Sequence, residues 1–210
     1  MSRITLSAKS NSRVPLQTID ASTLRPDNLC ALNKKQIVNL TLTAGMDRIP
    51  IGDLFTVRQS DADKATLTVR TAGLKLEKLG AGMKAGELRV AGNAGTYLGY
   101  QMQGGLNTVK DNAQALAGCA MHGGKIHIRG NAGERAGGSR PGHEFGMRGG
   151  VLQIDGDCGS RAGDRMRRGI LLIGGNAADQ CAHRILAGTI IVMGNAGRLN
   201  GFEMRHGSLI

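Results

Sequence analysis

The stretch Gly92-Asn93-Ala94-Gly95-Thr96-Tyr97-Leu98-Gly99-Tyr100-Gln101-Met102 returns, with substitutions, along the rest of the chain. Its landmark is an Asn or Asp followed by a small residue, at Asn93, Asn112, Asn131, Asp157, Asn176 and Asn195. Successive landmarks lie 19, 19, 26, 19 and 19 residues apart, so one interval carries seven extra residues and the others keep phase. A Gly usually precedes the landmark (Gly92, Gly130, Gly156, Gly175, Gly194), and a Gly or Ala lies six residues beyond it (Gly99, Gly118, Gly137, Gly163, Ala182, Gly201). Three residues further comes Met102, Met121, Met166, Ile185 or Met204, and then another Gly. A period near twenty marks a solenoid, whose coils bury their apolar side only by stacking on neighbours.

The kind of solenoid follows from the residues ahead of each landmark. Glu87-Leu88-Arg89-Val90, Lys125-Ile126-His127-Ile128 and Val151-Leu152-Gln153-Ile154 are rich in aliphatic residues with period two, as in strands with one buried face. Aligned on the period they give two inward ladders. One is Leu88, Asn107, Ile126, Leu152, Leu171, Ile190 and Leu209; the other is Val90, Val109, Ile128, Ile154, Ile173 and Val192. Helical repeats need about 33 to 47 residues and do not fit. A leucine-rich consensus and a hexapeptide sub-period are both absent. The reading is mainly β: a parallel β-helix of about 19-residue coils, over residues 81–210. Glycines are expected at its corners for their positive φ, and the Asn landmarks as left-handed corners bonded to a side-chain ladder. Gly95 to Gly99 is no dinucleotide fingerprint, because no helix opening follows and the phrase recurs in every coil.

The chain has 210 residues, no Trp, three Phe and two Tyr, so its core must be aliphatic and Met-rich. No stretch of eighteen apolar residues spans a membrane, and the N-terminus shows no secretory h-region. Cys30, Cys119, Cys158 and Cys181 form no C-x-x-C pair, and the five histidines are scattered. Free thiols, no metal and a cytoplasmic location are expected. No recurrent carboxylate pair and no Ser/His/Asp or Cys/His arrangement is visible among the coils.

Residues 1–80 differ. Ile4-Thr5-Leu6 reads as a strand, followed by a loop containing Val14-Pro15-Leu16. Pro26-Asp27-Asn28 opens a helical stretch through Leu29, Leu32, Gln36, Ile37 and Leu40. Ile49 to Val57 reads as a degenerate coil with Gly52 as its pre-strand glycine, and Ala65 to Val69 as a further strand. The segment is expected to form a small α/β cap over the open end of the stack.

Leu24-Arg25-Pro26-Asp27-Asn28-Leu29, then Ile51-Gly52-Asp53-Leu54-Phe55-Thr56-Val57, then coils such as the one quoted first, resemble the C subunit of formylmethanofuran dehydrogenase. That family includes the bacterial relative in the formyltransferase/hydrolase complex. The G-x-G-x-x-x-G coil is also similar to the C-terminal domain of the large subunit of glutamate synthase. The resemblance covers nearly the whole chain; the last coil breaks off at Gly207-Ser208-Leu209-Ile210, where family members run on. It implies a right-handed β-helix that serves as a non-catalytic, structural subunit in one-carbon metabolism (formaldehyde oxidation to formate). The implied partners are an amidohydrolase-like subunit with a dinuclear metal site, a formyltransferase subunit and a further subunit. The formyl group would ride on a methanofuran-type carrier with a glutamyl tail. An archaeal tungsten or molybdenum dehydrogenase is an alternative home for the subunit. An independent β-helix enzyme acting on acidic polysaccharide is an alternative of another class.

The charge carries its own signal. With 27 basic and 16 acidic residues the net charge is +11. The position after the Met reads Lys84, Gln103, His122, Arg148, Arg167, Leu186 and Arg205; Arg165 and Arg184 precede it, and Arg135 and Arg161 share another angle. A column of like charges is costly unless it faces an anion. Nucleic acid is disfavoured by the lack of stacking aromatics. The candidate residues for the carrier tail or an acidic partner are Arg135, Arg140, His143, Arg148, Arg161, Arg165, Arg167 and Arg168, including the looped insertion near 138–144.

Overall fold

A computed structural model of the chain describes residues 1–9 and 17–210. The loop read around Val14-Pro15-Leu16 lies outside the described residues. The molecule is mostly β. Strand β1 (Ser2–Ala8) is followed by β2 (Ile19–Asp20), the one-turn helix α1 (Pro26–Leu29), α2 (Lys34–Asn39), β3 (Thr41–Ala44) and β4 (Asp47–Pro50). Then come α3 (Ile51–Leu54), β5 (Phe55–Asp61), β6 (Thr66–Arg70) and β7 (Leu76–Glu77). The helical stretch expected after Pro26 is thus two short helices. Asn33 starts the second: its side chain accepts from Gln36 N at 2.9 Å while Gln36 Oε1 accepts from Asn33 N at 2.9 Å. This reciprocal cap satisfies two orphan amides and restarts the helix there. Gly52 sits not in a degenerate coil but inside α3, where a Cβ would collide with the Val38 side chain of α2.

From β6 onward the strands pair in parallel and in chain order: β8 (Glu87–Ala91), β9 (Leu106–Val109), β10 (Lys125–Ile128), β11 (Arg148–Ile154), β12 (Arg168–Ile173), β13 (Thr189–Val192) and β14 (Ser208–Leu209). Together with β1 and β5 they form a ten-stranded sheet, in which β5 runs antiparallel to β1 at the edge. A second sheet has the order β4-β3-β2-β7. The ladder Ile128, Ile154, Ile173 stands in one pairing column, as does Ile126, Leu152, Leu171. All six side chains are buried. Each buried side chain of this size contributes about 1.5–3 kcal/mol.

Two more columns complete each rung. Single bridges join Ala94, Ala113, Ala132, Cys158, Ala177 and Ala196 in succession. Met83, Met102, Met121, Met147, Met166 and Ile185 are all buried in line with one another. The landmarks act differently from the expectation. Their φ is not positive, and each side-chain oxygen accepts from the backbone N–H of the next landmark, as in Asn131 Oδ1 from Asp157 N at 2.8 Å. One side-chain pair joins this line, Asn176 Nδ2 donating to Asp157 Oδ1 at 3.0 Å. The glycines before most landmarks are there for close approach rather than positive φ. A Cβ at Gly130, Gly156 or Gly175 would strike the neighbouring ladder oxygen. The left-handed corner falls later, four, six and eight residues past the landmark, for example at Arg161, Gly163 and Arg165 with φ of 58°, 69° and 53°.

The extra seven residues leave the stack at that corner. Ser139 N still donates to Asp164 O of the next rung at 2.9 Å, and Met147 N donates to Gly137 O at 2.7 Å, as Met102 N does to Gly99 O at 3.0 Å. Residues 140–146 are therefore the part that projects, while Met147 returns to the methionine column.

Candidate functional site

The projecting segment sits on the basic side of the stack. Arg148, Arg167 and Arg205 follow the methionine column, and their backbone amides donate to Met121, Met147 and Ile185 of the preceding rung. Rung spacing of about 4.8 Å would bring such side chains together at a cost. Phe145 relieves part of it. The Arg148 guanidinium lies 5.0 Å and that of Arg167 5.1 Å from the centre of its ring, so two cations share one π system. Arg140 lies 5.7 Å from the centre of the Tyr100 ring.

These contacts frame two clefts divided by Glu144 and Phe145. The first, of about 460 Å³, is lined by Tyr100, His122, Arg140, His143 and Arg148 among others. The second, of about 580 Å³, is lined by Arg165, Arg184, Leu186, Glu203 and Arg205 beyond the dividing pair. Arg184 is already matched, since its Nε donates to Glu203 Oε2 at 2.8 Å. Arg148 and Arg167 are exposed. Guanidinium forks of this kind suit carboxylates, which they grip through two parallel hydrogen bonds.

Of the eight residues singled out by sequence, Arg140, His143 and Arg148 meet at the first cleft, Arg165 lines the second, and Arg167 lies against the ridge between them. Arg168 is exposed and starts β12, paired with Arg148. Two are turned to other work. Arg161 Nε donates to Gln180 Oε1 at 2.6 Å on the next rung. Arg135 Nη1 reaches Asp164 Oδ2 at 3.3 Å and the Ser139 carbonyl at 3.4 Å.

Asp164 was not visible as a site residue from sequence, nor was His183. Both lie seven residues past their landmarks, so the register stacks them. His183 Nδ1 is 2.8 Å from Asp164 Oδ1, Ser139 Oγ donates to Asp164 Oδ2 at 3.2 Å, and all three residues are buried. The His183 ring in turn stacks on Phe202 with centres 5.8 Å apart. A Ser/His/Asp cluster therefore exists, contrary to the sequence reading. The carboxylate lies between the hydroxyl and the imidazole, however, which is not the order in which a histidine activates a serine. The aromatic residues Tyr100 and Phe145 were also missed, although the lone aromatics of a chain this poor in rings were a usable signal.

Three of the four thiols are deeply buried. Burial pushes Cys119 up to about 11, Cys158 to about 12 and Cys181 to about 11, so the nucleophilic thiolate is scarce. Among the described residues no group of three or more His, Cys, Asp or Glu is placed to hold a metal ion, and no helix is long and apolar enough to cross a membrane.

No protein-family model matches the chain. Over 97 residues it is 30% identical to the C subunit of the tungsten-containing formylmethanofuran dehydrogenase 2 of Methanococcus maripaludis, a match spanning 46% of this chain and 35% of that protein. Over 100 residues it is 34% identical to the protein of the same name from Methanothermobacter thermautotrophicus, spanning 46% and 36%. The matches thus span about a third of the length of these curated relatives. Among solved structures, it is similar to a chain of the formyltransferase/hydrolase complex (FhcABCD) from Methylorubrum extorquens, in complex with methylofuran. The TM-score is 0.89 at 34% identity, over 98% of this chain and 75% of that one.

Proposed function

The chain belongs to the family of the C subunit of formylmethanofuran dehydrogenase and its formyltransferase/hydrolase relatives, and from that premise we propose that it is a non-catalytic structural subunit of a bacterial formyltransferase/hydrolase complex. Hydrolysis and formyl transfer fall to its partners, an amidohydrolase-like and a formyltransferase subunit, in the oxidation of formaldehyde to formate. The stack is read as a right-handed parallel β-helix over residues 81–210, capped by residues 1–80. Parallel pairing in strict chain order supports that architecture.

The observation that carries the role is the pair of arginine-lined clefts about Phe145. They suit a polycarboxylate, and the glutamyl tail of a methanofuran-type carrier is the polycarboxylate this reading assigns to them. The Cys119 thiol beside the first cleft is buried and its pKa raised, and the Asp164 cluster is buried, so neither offers a nucleophile to the clefts. The alignment with a chain of the bacterial complex over 98% of this chain supports that complex as the home of this protein.

Native mass spectrometry of the assembly purified through a tag on this chain tests the proposal. The expected result is a stoichiometric complex whose hydrolase and transferase activities are abolished by lesions in the partners alone. A chain that elutes alone as an active monomer would overturn it.

A further inference from the structure

The projecting segment is short, polar and rich in residues that do not fill a core, yet its ends are tied down. Ser139 N donates to Asp164 O at 2.9 Å, Gly146 N to Arg165 O at 2.9 Å, and Arg165 Nη1 to the His143 carbonyl at 3.4 Å. Beneath it lies one buried carboxylate. Asp164 is 3% exposed and meets three side chains from three different places: Arg135 on the preceding rung, Ser139 at the root of the loop, and His183 on the following rung. A carboxylate at that depth is tolerated only when its oxygens are matched, and here both are. The cluster is not repeated among the described residues: the equivalent positions on the other rungs hold Tyr100, Cys119, Gly138 and Phe202. It occurs only where the loop leaves the stack.

We propose that Asp164 is the positioning residue of the anion-binding loop. By gathering Arg135, Ser139 and His183 it fixes the root of residues 138–147, so that Phe145 stays against Arg148 and Arg167 and Arg140 stays on Tyr100. This inference rests on the reading of the clefts as a polycarboxylate site and adds what holds that site ready. Asp164 itself touches no ligand. Its effect on binding runs through the loop, because a segment already ordered loses less freedom when an anion arrives.

The test uses the full chain, with Asp164→Asn and Ser139→Ala as variants and fluorescent hexaglutamate as the probe. Hydrogen exchange of peptides covering 139–147 reports loop order directly, and thermal unfolding reports the stack. Asp164→Asn is expected to weaken hexaglutamate binding by about tenfold and to speed exchange in the loop with little change in the other rungs. Ser139→Ala, which cuts only the tie to the loop, should move both readouts in the same direction by about threefold. If Asp164→Asn fails to fold, Ser139→Ala decides. Loop exchange and affinity both unchanged in a folded variant would overturn the proposal. Were the wild-type chain not to bind hexaglutamate at all, the polycarboxylate reading would fall, while loop exchange in the variants would still decide whether Asp164 positions the segment.

Discussion

Ala182 stands where the other rungs carry glycine, at φ 59°, and the consequences of that exchange differ by position. Left-handed backbone costs an L-residue about 1–2 kcal/mol, so Ala182→Gly should stabilise the chain by up to about 1 kcal/mol after its entropic cost. Gly163→Ala should do the opposite, because a Cβ there would overlap Ile190 Cδ1 of β13 as well as adopting φ 69°. A loss of about 1–3 kcal/mol in denaturant unfolding is expected. Asn107 breaks the apolar ladder between Leu88 and Ile126: it is fully buried, and neither side-chain atom finds a partner among the described residues. Asn107→Leu, of nearly the same shape, should raise stability by about 1–3 kcal/mol. Cys158 lies in the alanine column with its thiol raised to about 12 by burial, so it stays protonated in the fold while the unfolded chain ionises near the ordinary value of 9.0. The folded state therefore binds the extra proton. This contribution is complete below about pH 9 and is lost as pH rises towards 12. Cys158→Ala should fold within about 1 kcal/mol of wild type at pH 7, and its stability should follow a different course from wild type only above about pH 9.

The strands of the stack were legible because two periods are superimposed, two residues within each strand and nineteen between strands. The pairing columns of Ile126, Leu152 and Leu171 follow from that alone. The first eighty residues carry no repeat, so nothing in the pattern distinguished one helix from two or placed Gly52 in a helical turn. Local chemistry decided there, through the Asn33–Gln36 cap. At the candidate site, charge was easy to see and geometry was not. Arg135 and Arg167 look alike in sequence, yet one is committed to a buried carboxylate and the other is exposed beside Phe145. Asp164 and His183 could have been found by applying the register to acidic and imidazole side chains as well as to basic ones. The projecting loop also carries a contrary charge. Glu144 is exposed and lines both clefts, so it opposes any anion that enters them. Glu144→Gln should tighten hexaglutamate binding by about two- to fivefold at low salt, and the gain should fade at high salt, where counterions screen that repulsion. Isothermal titration at two ionic strengths would read both effects.

Taken across the whole stack, the net charge of +11 is concentrated by the repeat itself. A residue placed after the methionine in one rung lies beside its equivalents in the next, so a one-dimensional period becomes a basic face. No single member of that face is strong. An exposed ion pair is worth about 0.2–1 kcal/mol, and Arg184 has already been matched by Glu203. Grip on a polyanion or an acidic partner would come from several arginines acting together, over a distance limited by screening to about 8 Å at physiological ionic strength. Arg167 and Arg168 are the sharpest place to test this, since both are exposed and neither packs in the core. Their conversion to Glu leaves the buried columns untouched, so the chain should fold with an unfolding midpoint close to wild type. Arg167→Glu also removes one of the two cations on Phe145 and places a carboxylate at the ridge between the clefts. The double reversal is therefore expected to weaken complex assembly or carrier retention, with a flatter dependence on salt than the wild type shows. Carrier content measured after purification at low and high salt would read it. A folded double variant with unchanged assembly, carrier content and salt response would mean that the basic face is solvated and serves no ligand.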